Sequence, residues 1–140
     1  MADGISWKEC VDRNIITRIP PDMERSAQLL QMAELRLEFW NQEIDERFLT
    51  LKIEAYYDII KELIIAHLYQ QGFNCSNHQC LIAYLKEHLD EFDYECEKIE
   101  ELRKVRSEIS YRGFFVSKDY LARNELEFLN IIQKLRQLAS

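Results

Sequence analysis

A chain of 140 residues is one ordinary domain, long enough to bury about two-thirds of the surface its unfolded form exposes. Hydrophobic residues make up 47% and charged residues 31%, which excludes a disordered chain, and only three glycines and two prolines leave too few turn residues for a β-rich fold. The net charge of −7 excludes a general nucleic-acid coat drawn on by overall charge, while leaving room for a local basic site.

The segment Met1 to Cys10 mixes Asp3, Lys8 and Glu9 with apolar residues and does not read as a leader. A short helix is expected from Ser6, because Ser6 and Glu9 form an S-x-x-E capping box before Val11. Pro20-Pro21 breaks the chain and suits the start of a first long helix, with Pro21 in its first turn. That helix is expected over about 22–47. Met23, Leu30, Leu37 and Ile44 recur every seven residues with Ala33 and Trp40 between them, a narrow apolar seam for a neighbouring helix.

Thr50 is the expected cap of a second long helix, and Gly72 its left-handed stop. Its middle, Ile59-Ile60 and Leu63-Ile64-Ile65-Ala66, is apolar around most of the circumference and belongs at the centre of a bundle. The most apolar run, Ile59 to Tyr69, is interrupted by Lys61, Glu62 and His67 and is too short to span a membrane. Cytoplasm is the expected compartment.

Asn74 or Ser76 should cap a shorter helix carrying Leu81, Ile82, Tyr84 and Leu85 and ending near His88. A further helix is expected from about Asp93 to Arg112, stopped by Gly113. After Phe114-Phe115-Val116, Ser117 or Asp119 caps a last helix with Leu121, Phe128, Ile132 and Leu135 on its buried stripe. The expectation is an all-α, antiparallel bundle of four to five helices. It forms a single domain over 1–140, with a short helix and arm over 1–20 and the bundle over 21–140.

No nucleophile elbow, phosphate-cradling glycine loop, H-E-x-x-H pair or calcium loop occurs. Cys75, His78 and Cys80 cluster, but their spacing matches no paired Cys-x2-Cys zinc pattern; free thiols are expected and neither metal nor cofactor. His67, His78 and His88 show no partner pattern and read as helix-surface or helix-end residues. A disulfide framework is unnecessary in a chain that can build its own core.

Charge is more informative. Between Lys86 and Arg103 eight acids face three bases, and between Arg103 and Lys118 five bases (Arg103, Lys104, Arg106, Arg112 and Lys118) face only Glu108. Cations at a helix C-terminus complement the dipole, which accounts for Arg103, Lys104 and Arg112. Arg106 is different. Counting from Ile99, Leu102, Val105 and Ile109 fall at about 300°, about 240° and about 280°, and Arg106 at about 340°, inside the apolar arc. A guanidinium there needs a carboxylate, a phosphate or a water-filled gap. Ser110, at about 20°, lies on the same side, whereas Tyr111, at about 120°, points elsewhere in an ideal helix.

The stretch Glu101-Leu102-Arg103-Lys104-Val105-Arg106-Ser107-Glu108-Ile109-Ser110-Tyr111-Arg112-Gly113 resembles the signature region of HEPN domains (higher eukaryotes and prokaryotes nucleotide-binding). Trp7-Lys8-Glu9-Cys10 leading to Ile19-Pro20-Pro21 is similar to small prokaryotic, especially archaeal, members. The resemblance implies a helical bundle that pairs as a homodimer. It also implies either a metal-independent endoribonuclease, as in the toxin half of a pair with a minimal nucleotidyltransferase, or a degenerate module that binds RNA, a nucleotide or a partner. The family motif is an Arg followed after four to six residues by a His. Arg106 matches the Arg, but Tyr111 and Arg112-Gly113 stand where the His would follow. The implied catalytic pair is therefore Arg106 and Tyr111, with Lys104, Ser110 and Arg112 as RNA or nucleotide contacts. A phenol of ordinary pKa about 10 is a poor general base, so weak or absent cleavage with surviving binding is expected.

Overall fold

The computed structural model describes residues 4–140; Asp3, invoked against a leader, lies outside them. Six helices and one pair of two-residue strands make up the described chain: α1 (Trp7–Asp12), β1 (Thr17–Arg18), α2 (Met23–Trp40), α3 (Leu49–Gln71), β2 (Phe73–Asn74), α4 (His78–His88), α5 (Asp93–Arg112) and α6 (Lys118–Ala139). The molecule is an all-α bundle. No helix among the described residues is long and apolar enough to cross a membrane.

The capping box of α1 forms as read. Ser6 Oγ accepts from the Glu9 N–H at 3.1 Å and Glu9 Oε1 accepts from the Ser6 N–H at 3.3 Å. The arm after α1 makes β1, which pairs antiparallel with β2, Thr17 opposite Asn74 and Arg18 opposite Phe73. No alternation of apolar residues marked so short a ribbon. Gly72 makes it possible. Its φ of 83° ends α3 in the left-handed region, and its carbonyl accepts from the Ile19 N–H at 2.9 Å.

α2 starts one residue later than expected and stops at Trp40 rather than near Arg47. Asp22 takes the cap, so Pro21 precedes the helix instead of opening its first turn. Beyond Trp40, other bonds take over: Asp45 caps a short 3-10 turn at Glu46–Phe48, and the Gln42 carbonyl accepts from Lys52 Nζ at 3.0 Å. The heptad seam narrows accordingly. Met23 is exposed, Leu30 and Leu37 are half-buried, and the small residues Ser26 and Ala33 are buried. Ser26 Oγ donates to the Ala66 carbonyl at 2.7 Å, which requires close approach of α2 and α3.

α3 is the central helix. Ile53, Tyr56, Ile59, Ile60, Leu63, Ile64 and Leu68 are each 1% exposed or less, as its all-round apolar pattern dictates. Polar pairs fix the helix directions. Ser26 with Ala66 and Arg36 with Glu62 set α2 antiparallel to α3, and Lys98 with Glu127 and Glu95 with Lys134 set α5 antiparallel to α6. Tyr56 with Glu125 and Gln70 with Ala139 make α3 and α6 parallel.

Two caps differ from expectation. Thr50 does not cap α3; its hydroxyl accepts from the Val116 N–H at 3.0 Å and pins the α5–α6 connection to the core. Asn77, rather than Asn74 or Ser76, caps α4 by accepting from the Cys80 N–H at 3.0 Å. The expectation of free thiols fails for two of the four cysteines. Cys10 and Cys80 form a disulfide across 70 residues, joining α1 to α4, whereas Cys75 and Cys96 are free and buried. That pairing is spatial, and a sequence without a disulfide spacing pattern gives no sign of it.

Candidate functional site

α5 carries a buried stripe of Cys96, Ile99 and Leu102 through its first three turns, then continues through half-buried Val105 and Ile109 to Gly113, whose φ of 64° ends it. Arg106 lies where the stripe reaches the surface. Its side chain is 30% exposed, and its guanidinium lines a cleft of about 180 Å³ between α3, the start of α4 and α5. Tyr57, His78, Arg103, Ser110 and Tyr111 line the same cleft. The volume is below the about 300–1,000 Å³ of a cleft that swallows a drug-sized ligand.

The Arg106 guanidinium is only partly satisfied. Nη1 donates to Ser110 Oγ, Nη2 reaches Asp58 Oδ1 at 3.4 Å, and the buried Nε has no hydrogen-bond partner among the described residues. A distance of 3.4 Å is long for a charge-assisted bond, which is ordinarily about 2.7–2.9 Å. Arg103 is held differently, by a bidentate pair with Glu100 at 2.7 and 2.8 Å. The carboxylate that meets Arg106 therefore comes from α3, where Asp58 follows the buried Tyr56-Tyr57 pair.

His78 is the first residue of α4, and its imidazole stacks on the Tyr57 ring with centroids 5.4 Å apart and planes 7° from parallel. Its Nδ1 is 2.7 Å from the Tyr57 hydroxyl. Burial, then the positive charges of Lys61, Arg106 and Arg103, hold its pKa below the ordinary histidine value, so the ring is neutral near pH 7. Burial pushes the Tyr57 phenol far above its usual range, so it stays protonated. The cleft thus combines fixed cations, hydroxyls and one neutral imidazole.

The residues singled out in sequence separate here. Arg106 and Ser110 meet in the cleft, as their shared helix face requires. Tyr111 stands at the rim, 87% exposed, and offers its hydroxyl to solvent rather than to Arg106. Lys104 and Arg112 are exposed and do not line the cleft; Arg112 pairs with Glu108 at 3.3 Å. Tyr57, Asp58 and His78 were not singled out as site residues, because two different helices bring them together.

The cysteines do not join His78 at a metal. Cys80 is bonded to Cys10, the Cys75 thiol is kept protonated by burial, and His78 turns to Tyr57. Among the described residues no group of three or more His, Cys, Asp or Glu is arranged to hold a metal ion. No model of a known protein family, no curated protein and no solved structure matches this chain.

Proposed function

We propose that this protein is a HEPN-like helical module that binds a phosphate group of RNA or of a nucleotide in the Arg106 cleft. The observation that carries the reading is the guanidinium itself: permanently charged, mostly covered, with a buried Nε unsatisfied and a single carboxylate at long range. A phosphate oxygen entering the cleft gains a charge-assisted bond to the accessible part of the guanidinium. Arg103 adds a second cation and Ser110 a hydroxyl. Lys104 and Arg112 lie on the same half of α5 outside the cleft, where they steer an anionic chain without touching the bound group.

The chain works as a homodimer in this reading. Support comes from the resemblance and from three exposed aromatics close in the chain, Tyr111 at the cleft's rim with Phe114 and Phe115 after it, which are 87%, 51% and 76% exposed. Pairing through that aromatic run would set two clefts near one another. The same run would serve a minimal nucleotidyltransferase partner in the alternative version, an endoribonuclease toxin.

Fluorescence anisotropy with a labelled single-stranded RNA, competed with inorganic phosphate, tests the site. Arg106→Ala should weaken binding about tenfold to a hundredfold, the worth of a hydrogen bond to a charged group, with an unchanged melting temperature within a few degrees. Equal affinity of the variant and the parent protein would remove the cleft from consideration. Sedimentation at micromolar concentration tests the dimer, and a monomer there overturns that half of the reading.

A further inference from the structure

The exposed aromatic run has a counterpart on the same molecule. Between the lead-in to α1, α4 and the first half of α5 lies a groove of about 480 Å³, separate from the Arg106 cleft. Ile5, Ile82 and Ala83 give it an apolar floor, and Glu97, Glu100 and Glu101 make its α5 wall acidic. The segment that ends α5 has the opposite character: Tyr111, Phe114 and Phe115 stand exposed between Arg112 and Lys118 or beside them. We propose that this aromatic, basic end of α5 docks in the acidic groove of a second copy of the chain, the two copies exchanging the contact reciprocally about a two-fold axis across α5. This rests on the homodimer half of the reading above and names the surface that receives the aromatic run.

A protomer cannot fill its own groove. α5 is continuous from Asp93 to Arg112, so at about 1.5 Å per residue Glu97 and Arg112 stand about 22 Å apart along it. The chain beyond is pinned as well, since the Val116 N–H donates to Thr50 and Ser117 caps α6. The occupant comes from outside, and charge complementarity points to this same chain. With Ile99 as origin, the strip of α5 turned away from the buried stripe carries Glu97 at about 160°, Glu101 at about 200°, Lys104 at about 140°, Glu108 at about 180° and Arg112 at about 220°. Along the helix the signs run acid, acid, base, acid, base. Laid antiparallel on itself with Arg112 facing Glu101, the strip sets Lys104 beside Glu108 and Glu97 beside the aromatic run. A two-fold pairing makes each of these contacts twice.

The pairs to be exchanged are weak ones. Lys98 with Glu101 at 3.4 Å and Arg112 with Glu108 at 3.3 Å each involve an exposed side chain, and exposed ion pairs contribute little; Glu100 stays with Arg103. The aromatics supply the area. Tyr111, Phe114 and Phe115 are 87%, 51% and 76% exposed, so at about 150–250 Å² for a whole aromatic side chain the six from two protomers offer about half of the about 1,600 Å² of a standard interface. Arg106 at about 340° and Ser110 at about 20° lie on another side of the helix, which leaves each cleft open; Tyr111, at its rim, belongs to both surfaces.

The experiment is sedimentation of the full chain at micromolar concentration, with charge reversed on either half of the contact. Glu101→Lys and Arg112→Glu change exposed side chains, and each should raise the dimer dissociation constant about tenfold to a hundredfold, because a homodimer of either sets like charges face to face twice. Mixed in equal amounts, the two variants should pair with about the parent affinity: the unaltered Arg112 meets the unaltered Glu101, and the two reversed positions meet each other. Circular dichroism melts establish that both fold; should Glu101→Lys not fold, Glu97→Lys on the same wall replaces it. A monomeric parent protein, a dimer that neither variant loosens, or variants that stay apart when mixed overturns the proposal. A mass that climbs past the dimer with concentration overturns it too, as the mark of a head-to-tail chain. Arg106→Ala should pair as the parent does, and loss of pairing there would place the interface at the cleft and refute this one. Failure of the parent to hold labelled RNA removes the phosphate site and leaves the pairing standing.

Discussion

Breaking the Cys10–Cys80 disulfide should cost this fold a large share of its stability without dismantling it. The bridge closes a loop of 70 residues, half the chain, and acts mainly by restricting the unfolded ensemble. The loop-entropy expression, about 2.1 plus 1.5R ln n cal/mol/K, gives about 15 cal/mol/K, or about 4.4 kcal/mol at 25 °C. Unfolding entropy of about 2.1 cal/mol/K per residue amounts to about 290 cal/mol/K for 140 residues, so the expected fall in Tm approaches about 15 °C. The native contacts of α1 survive the loss: Trp7 still packs edge-on against Phe73, Tyr84 and His88, with centroids 4.7–5.6 Å apart. The assay is calorimetry of the oxidised protein against Cys10→Ser, with a thiol count on the unfolded parent. Cys75 and Cys96 should be the two thiols found without reductant; burial pushes Cys96 up to about 11, so it is a poor competitor for exchange. Coincident melts, or four thiols in the unreduced protein, would refute the reasoning.

Two glycines in the same backbone region should respond differently to alanine. Gly113, with φ of 64° and open space around it, should lose only the left-handed backbone penalty, about 1 kcal/mol and about 3 °C in Tm; Gly72, where a Cβ would stand 2.8 Å from the Ile19 carbonyl, should lose at least twice as much. Equal melts for the two variants would contradict this. Acid should also destabilise the protein in a definite window. Burial keeps the pKa of His67 below its ordinary value, so the unfolded chain binds a proton before the folded one does: stability is full above about pH 6.5 and falls as pH drops from there toward the folded pKa. Urea titrations should show that slope reduced in His67→Gln; an identical slope between pH 5.5 and 7 would assign it elsewhere.

The helices were legible because their signals are local. The Ser6 box, the glycines at 72 and 113, the Ser117 cap and the all-round apolar middle of α3 each occupy a few adjacent residues, and each appears as read. The end of α2 was not, because a heptad pattern does not record that Gln42 and Asp45 bond elsewhere. At the site, helix arithmetic put Arg106 and Ser110 on one face, which a single helix determines. It could not supply Asp58, Tyr57 or His78, which arrive from α3 and α4 through tertiary packing. One residual signal existed: Asp58 and Lys61 are charged positions in the most apolar helix, and such positions call for partners. His78 carried no comparable mark, since a histidine at a helix start has many ordinary uses.

The buried contact around Lys52 bears on how this bundle avoids the wrong packing. Lys52 is 6% exposed, its ammonium is 2.9 Å from Glu125 Oε2 and 3.0 Å from the Gln42 carbonyl, and Tyr56 donates to Glu125 at 2.5 Å. Greasy helix faces tolerate sliding, because one leucine or isoleucine replaces another a turn away. A shift of α6 along α3 by one turn, about 5.4 Å, would keep much of that contact and strand an ammonium, a carboxylate and a phenol in the interior. The polar knot works as a ratchet tooth between parallel rods: it adds little attraction, but it makes the neighbouring notch expensive and so confines α6 to a single axial position.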